Sequence, residues 1–226
     1  KVEGLFYNGK FGGLGIEAFA GRNRSTTTQD GVKTEDHVSE SGYGIGLRYD
    51  AGPFAIAGVA QQFRPGKITR DNSNRITGDT RTRTDEFGLA ASYKLGDVRF
   101  VSNYIYAKTA PRHSNAYSRW EHLNLGVEYK TGPVMLVAEV GRNRARAVNN
   151  TAKLGSYGKL VTSNFPGDFH LKGAGTNFVV GANYIFSKRT DLYIRAGRKQ
   201  ALNSTIYDAA GNQRGTLKGR TNYVFA

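Results

Sequence analysis

The sequence predicts an all-β chain: a transmembrane, antiparallel, up-and-down β-barrel of which about eleven strands are visible. Three observations predict it. A hairpin of one design recurs five times, each closing on a tight turn. Long polar segments join one hairpin to the next. The apolar face of each hairpin carries an aromatic residue at its turn end, where an amphipathic ring suits a boundary between oil and water.

The first hairpin, Val2 to Gly21, is the loosest copy (VEGLFYNGKFGGLGIEAFAG). The second, Gly42 to Gln61, is the clearest. Tyr43, Ile45, Leu47 and Tyr49 fall on one side of a strand and Gly44, Gly46 and Arg48 on the other. That period of two marks a strand with one apolar face. Asp50-Ala51-Gly52-Pro53 supplies the turn, and Phe54 to Ala60 alternates again. In the third, Phe87, Leu89, Ala91 and Tyr93 lead to a turn at Lys94 to Asp97, then Val98, Phe100, Ser102 and Tyr104. The fourth runs Leu123, Leu125, Val127, Tyr129, turns at Lys130 to Pro133, and returns through Val134, Leu136, Ala138 and Val140. The fifth runs Phe178, Val180, Ala182, Tyr184, Phe186, turns through Ser187 to Asp191, and returns through Leu192, Ile194 and Ala196. A lone strand in Arg220 to Ala226 makes the count odd. A missed strand in Thr151 to Gly175, or truncation of the sequence, would account for it.

Between the hairpins, Arg22 to Ser41 and Phe63 to Thr84 show no apolar period, Thr109 to Arg119 is shorter, and Arg142 to Gly175 and Gln200 to Gly219 are long and rich in Gly, Asn, Ser and Thr; all read as loops. Tight turns at one rim and long loops at the other are the asymmetry of outer-membrane barrels. A soluble sandwich or lipocalin has no reason to segregate its connections so strictly. No composition shift marks a second domain, so residues 1–226 read as one.

The mean hydropathy is −0.50 and no stretch approaches the roughly 20 apolar residues of a membrane helix. A barrel hides its lipid face in alternation, so this does not count against a membrane. Cost decides which face meets lipid. Arg48, Arg99 or Arg195 at the bilayer midplane would cost about 2–4 kcal/mol each. The tyrosine-and-aliphatic face therefore points out. Gly46, Arg48, Glu86, Ala90, Arg99, Asn103, Asn124, Glu128, Glu139, Asn183 and Arg195 point into a wet lumen.

The 32 Lys+Arg against 18 Asp+Glu give a net charge of +14. The cations are spread over every hairpin and loop rather than gathered in one tract, which argues against nucleic acid and for an anion-attracting surface or cavity. The chain has no cysteine, hence no thiolate metal site. His37, His113, His122 and His170 show no metal spacing, and the Gly-rich pieces GGLGIEAF and GYGIGL open no helix, so no metal or cofactor is indicated.

Several stretches resemble a known family. GKFGGLGIEAFAG, YDAGPFAIAGVAQQF, YKLGDVRFVSNY and above all YIFSKRTDLYIRAG, followed by a long loop and TNYVFA, resemble the general porins of Gram-negative bacteria. The likeness is greatest to the proteobacterial, trimeric, anion-preferring kind, and the turn Ser187 to Asp191 is its most specific piece. The resemblance implies an outer-membrane location, a homotrimer, and a chain corresponding to the later part of a 16-stranded barrel. On that alignment the loop that narrows the family's channel lies outside this sequence.

A porin needs no catalytic group, only a water-filled tube with charged walls. Arg48, Arg99 and Arg195 are the best candidates for lumen cations. Lys94, Lys130 and Lys199 share their parity nearer the rims. Glu86, Glu128 and Glu139 are the carboxylates that could pair with them. One charge acts on an anion about 10 Å away in water by only about 0.4 kcal/mol, so selectivity needs several acting together. The loop cations Arg64, Lys67, Arg70, Arg75, Arg81 and Arg83 could funnel small anionic or polar solutes or clamp lipopolysaccharide phosphates; a solvated loop face is the plainer expectation. Three alternatives stay open: a complete smaller barrel channel for acidic saccharides, an outer-membrane barrel hydrolase using His113 or His122, and a soluble β-protein for acidic ligands. No nucleophile or water-activating carboxylate is paired with either histidine by the sequence.

Overall fold

The computed structural model describes residues 2–37, 41–112, 116–148, 152–154, 160–162, 169–187, 190–200, 203–208 and 210–225. In chain order the strands are β1 (Val2–Phe11), β2 (Leu14–Gln29), β3 (Val32–His37), β4 (Gly42–Ala51), β5 (Phe54–Phe63), β6 (Gly66–Arg70), β7 (Ile76–Asp79), β8 (Thr82–Leu95) and β9 (Val98–Pro111). They continue with β10 (Tyr117–Thr131), β11 (Val134–Val148), β12 (Ala152–Leu154), β13 (Leu160–Thr162), β14 (Phe169–Ser187), β15 (Thr190–Gln200), β16 (Asn203–Asp208), β17 (Gln213–Leu217) and β18 (Arg220–Phe225).

Eleven of these form one unbroken antiparallel ladder: β1-β2-β4-β5-β8-β9-β10-β11-β14-β15-β18. They are the five hairpins and the lone strand that the alternation predicts. Among the described residues β1 pairs only with β2 and β18 only with β15. The turns of four hairpins place a glycine at positive φ directly after the first strand: Gly12, Gly52, Gly96 and Gly132, all between 56° and 59°. Other residues meet a Cβ clash in that region, and glycine does not.

The polar segments expected to be loops contain further strand. β2 runs on to Gln29 and turns through Asp30-Gly31, both at positive φ, into β3. β6 pairs with β3, and β7 with β6. β16 pairs with the first residues of β14, and β17 with β16. The missing barrel strand sought in Thr151 to Gly175 is not found among the described residues: β12 and β13 have three residues each and pair only with one another. These extensions lack apolar alternation because both faces can be wet. Threonine pairing and ion pairs hold them instead, as at Thr27–Thr34 and around Glu35. His113, Lys188 and Arg189 lie outside the described residues, as do the side chains of His37, His170 and Lys199.

The register assigns every ladder residue to one of two faces. Ile16, Leu47, Gly58, Leu89, Tyr104 and Leu123 are direct cross-strand neighbours on one face. Arg48, Ala57, Ala90, Asn103, Asn124, Gly141 and Asn177 are neighbours on the other. The apolar face is uncovered: Ile45, Leu125 and Phe178 are 48%, 50% and 47% exposed. Among the described residues the buried apolar ones are Ile68, Ala116, Ala145, Ala147 and Leu171, far too few for a globular core. An uncovered apolar belt of this extent needs a nonaqueous neighbour. Among the described residues no helix is long and apolar enough to cross a membrane.

Candidate functional site

The candidate site is the polar face of the ladder. Each strand supplies every second residue to it, so its side chains are fixed by register rather than by loops. The described cations there are Lys10, Arg48, Lys94, Arg99, Lys130 and Arg195. The described carboxylates are Glu17, Asp50, Glu86, Glu128, Glu139 and Asp191. These two sets balance, and Lys199, on this face by register, adds one cation. The excess positive charge of the chain therefore lies mainly off this face.

Local pairing divides the three arginines. Arg48 makes a two-pronged contact with Asp50, Nε to Oδ2 at 2.8 Å and Nη2 to Oδ1 at 3.0 Å. Asp50 is two residues along β4 and so on the same face; its place in the turn sequence concealed it as a partner. Arg99 donates to Glu128 at 3.5 Å and to Ser92 at 3.4 Å. Arg195 has carbonyl oxygens instead, those of Ala182 and Ile194 at 3.2 and 3.1 Å, and lies 5.6 Å from the Tyr193 ring. A Cβ on Gly181 would come 2.5 Å from Arg195 Cδ, so glycine makes the room in which that guanidinium lies.

The carboxylates expected as arginine partners divide likewise. Only Glu128 takes that role. Glu86 accepts from Gln61 at 2.5 Å, and Glu139 from Asn124 at 3.2 Å. Lys94 and Lys130 are exposed, and Lys94 lies directly across from Arg99. Lys199 lies on this face by register, opposite Asn177 and Thr221. Lys94, Arg99, Glu128, Val137, Gly181 and Arg195 are direct cross-strand neighbours in one row across six strands. Three cations thus share a row with one carboxylate.

Sequence reasoning missed a second lane. His122 Nδ1 lies 2.7 Å from Asn143 Oδ1, and the Asn143 amide donates to Asn177 at 3.4 Å. Trp120 stacks on His122 with centroids 5.9 Å apart, and its buried Nε1 has no partner among the described residues. The asparagines are legible only once register joins them. A recess of about 760 Å³ runs past Lys10, Glu17, Arg48, Ala90 and Asn103.

The six loop cations are each held locally. Arg64 donates to Gln62 at 2.8 Å, Lys67 lies 3.3 Å from Asp36, and Arg70 3.9 Å from Glu35. Arg75, Arg81 and Arg83 pair with Asp71, Asp79 and Asp85 at 3.2, 2.7 and 2.8 Å. Burial pushes the Glu35 carboxyl up, but the hydrogen bond from Lys33 and the charges of Lys33, Arg24 and Arg70 outweigh it. The net result is a pKa below the ordinary value. No group of three or more metal-ligating side chains occurs among the described residues.

Over residues 4–204 the sequence matches the profile of the Gram-negative porins. The chain belongs to the Gram-negative porin family. Its place is the bacterial outer membrane, where the uncovered face meets lipid. Among solved structures it is similar to a loop-L8 deletion mutant of OmpT, an outer membrane protein of Vibrio cholerae. The identity is 15% and the TM-score 0.57, over 98% of this chain and 62% of that one. It is also similar to the siderophore receptor PiuA of Acinetobacter baumannii, at 10% identity and a TM-score of 0.57, over 99% of this chain and 44% of that one. The ferric yersiniabactin receptor FyuA of Yersinia pestis gives 14% and 0.51, over 99% and 40%. At such identities these likenesses carry the fold alone. The porin chain described here spans about three-fifths of the length of the OmpT chains it matches. No curated protein matches it.

Proposed function

We propose that residues 1–226 form one porin domain, a portion of a 16-stranded barrel wall, whose polar face lines a water-filled channel for passive diffusion of small hydrophilic solutes and ions. The channel is non-catalytic and favours anions mildly, and copies assemble as a homotrimer. The observation that carries the anion preference is the row with Lys94, Arg99 and Arg195 against Glu128 alone. Arg48 contributes little, because Asp50 neutralises it at contact distance. Elsewhere on the face the described carboxylates Glu17, Asp50, Glu86, Glu139 and Asp191 outnumber the described cations Lys10, Arg48 and Lys130, which keeps the preference small.

The lane of His122, Asn143 and Asn177 supports passage of polar solutes: it offers hydrogen bonds without a net charge. His122 bonds an amide rather than a hydroxyl or carboxylate, so this lane favours a channel over a hydrolase. The test is the reversal potential of the full-length channel in a salt gradient. Wild type should reverse on the anion side, and the triple variant Arg99→Glu, Arg195→Glu, Lys94→Glu on the cation side. A cation-selective wild type would reject the role given to that row. An absence of any conductance would reject the channel itself.

A further inference from the structure

The lane on β10, β11 and β14 is built in more detail than a merely wet wall needs. His122 Nδ1 donates to Asn143 Oδ1 at 2.7 Å, and the Asn143 amide donates to Asn177 Oδ1 at 3.4 Å. An amide oxygen only accepts, so Nδ1 carries the ring proton and Nε2 is left as the acceptor of a neutral imidazole. The relay therefore has a direction. It ends in an acceptor at His122 and in a donor, the amide nitrogen, at Asn177. A hydroxyl group donates and accepts at once and suits both ends. Beside the relay, Gly141 opens a notch. It lies between Asn124 and Asn177 in the register and is buried. A Cβ there would come 2.7 Å from Asn177 Oδ1 and 3.1 Å from Asn124 Oδ1, so two amide groups converge over bare backbone. Asn124 spends its nitrogen on Glu139 at 3.2 Å, while its buried Oδ1 has no partner among the described residues. Trp120 Nε1, four residues up the same strand, is in the same position. Buried polar atoms are normally paired, and these two, one acceptor and one donor, bracket His122.

The upper half of the lane is flat and aromatic. Trp120 and His122 stack with their planes 8° apart, and both are half-buried. Ala107 and Ala145 stand directly across from Trp120 on either side, so the indole has no bulky neighbour in its row. Asn103 adds a fourth amide opposite Asn124. Trp120 to Asn124 covers about 14 Å along β10, and β10 to β14 about 10 Å across, room for a disaccharide. The charges that border the lane, Glu139 below Gly141 and Lys199 opposite Asn177 by register, are of opposite sign. The row of Lys94, Arg99 and Arg195 lies lower, level with Glu128 and about 14 Å beyond Asn124 along β10. Four amides and an aromatic platform without net charge select a neutral, hydroxyl-rich solute over an ion.

We propose that Trp120, His122, Asn124, Asn143 and Asn177 form a saturable site for a neutral saccharide. The C–H face of the sugar packs on the indole, and its hydroxyls bond the amides and His122 Nε2. The proposal rests on the reading of this face as a channel wall and names the solute class that one lane of it holds. The test uses the full-length protein folded in detergent, with sucrose as the probe. Trp120 is the only tryptophan of this sequence, so its fluorescence reports on the lane. Sucrose should change the emission along a saturating curve, and Trp120→Phe should remove that change. Asn143→Leu with Asn177→Leu, shown to be folded by circular dichroism, should raise the half-saturating concentration about tenfold, the loss of two modest hydrogen bonds. In planar bilayers sucrose should lower the wild-type conductance to a plateau, where polyethylene glycol of equal size gives only the linear fall of a more viscous solution. A conducting channel with a linear response to sucrose and unchanged emission would overturn the site and leave the channel standing. Saturable emission from a protein that does not conduct would overturn the channel and leave the site. Equal saturation by polyethylene glycol, or saturation by glycine and not by sucrose, would overturn the saccharide as the ligand. An unshifted curve in the folded asparagine variant would overturn the lane as its location. Should that variant not fold, the wild-type titration and its loss in Trp120→Phe decide the question.

Discussion

The contact between Arg48 and Asp50 makes a prediction that charge counting alone would get wrong. Asp50→Asn should shift the channel toward anions, and Arg48→Gln should shift it toward cations by a similar amount. The double variant should sit near wild type. The magnitude follows from the geometry. With the pair intact at 2.8 Å, its field on an ion several ångströms away largely cancels. Removing Asp50 leaves one guanidinium charge, worth about 0.4 kcal/mol on an anion ~10 Å distant in water, and screening at 0.1 M salt lowers that to about 0.15 kcal/mol. Anions gain and cations lose by that amount, so the permeability ratio changes about 1.7-fold. In a tenfold salt gradient such a change moves the reversal potential by about 10 mV. Planar-bilayer recordings of the full-length channel resolve that. Shifts of the same sign in both single variants, or no shift in either, would show that the pair does not border the permeation path.

Three further predictions test other parts of the account. Gly181→Ala puts a Cβ against Arg195 and the Ile194 carbonyl, a clash typical of overpacking, and should cost about 1–3 kcal/mol in urea unfolding from vesicles while displacing Arg195. Leu125→Arg, on the uncovered face, should cost about 2–4 kcal/mol in the same assay, whereas Asn124→Arg one residue away should cost much less. Glu35 has a pKa held below its ordinary value, so its ion pairs stabilise the β2–β3–β6 extension above about pH 4.5 and lose that contribution as the pH falls through the lowered value. Hydrogen exchange in β3, corrected for intrinsic rates, should therefore quicken on acidification in wild type and be insensitive in Glu35→Gln.

The lipid-crossing part of the fold was legible because one face of each strand must be apolar, and that requirement writes a period of two into the sequence. All five hairpins and the final strand follow from it. The extensions above the membrane were not legible by the same means, since water on both sides imposes no period. Even there one signal stood in plain view: Asp30-Gly31 is a two-residue hairpin turn, and its residues do take positive φ. Another was Arg142, Arg144 and Arg146, which continue the outward parity of Leu136 and Val140 within a segment that reads as loop. The site was half legible. Parity put the arginines, glutamates and asparagines on one face. Parity cannot say which charge cancels which, and so Asp50 was missed as the partner of Arg48, and Glu86 and Glu139 turned out to bond amides.

The most direct test concerns the two faces themselves. The chain has no native cysteine, so single cysteines introduced one at a time from His122 to Tyr129 can each carry a nitroxide label. In the outer-membrane barrel, Leu123, Leu125, Val127 and Tyr129 should be accessible to oxygen dissolved in lipid. His122, Asn124, Gly126 and Glu128 should be accessible to a water-soluble nickel complex. An alternation of that phase is what the account predicts; the opposite phase, or no alternation along β10, would contradict it.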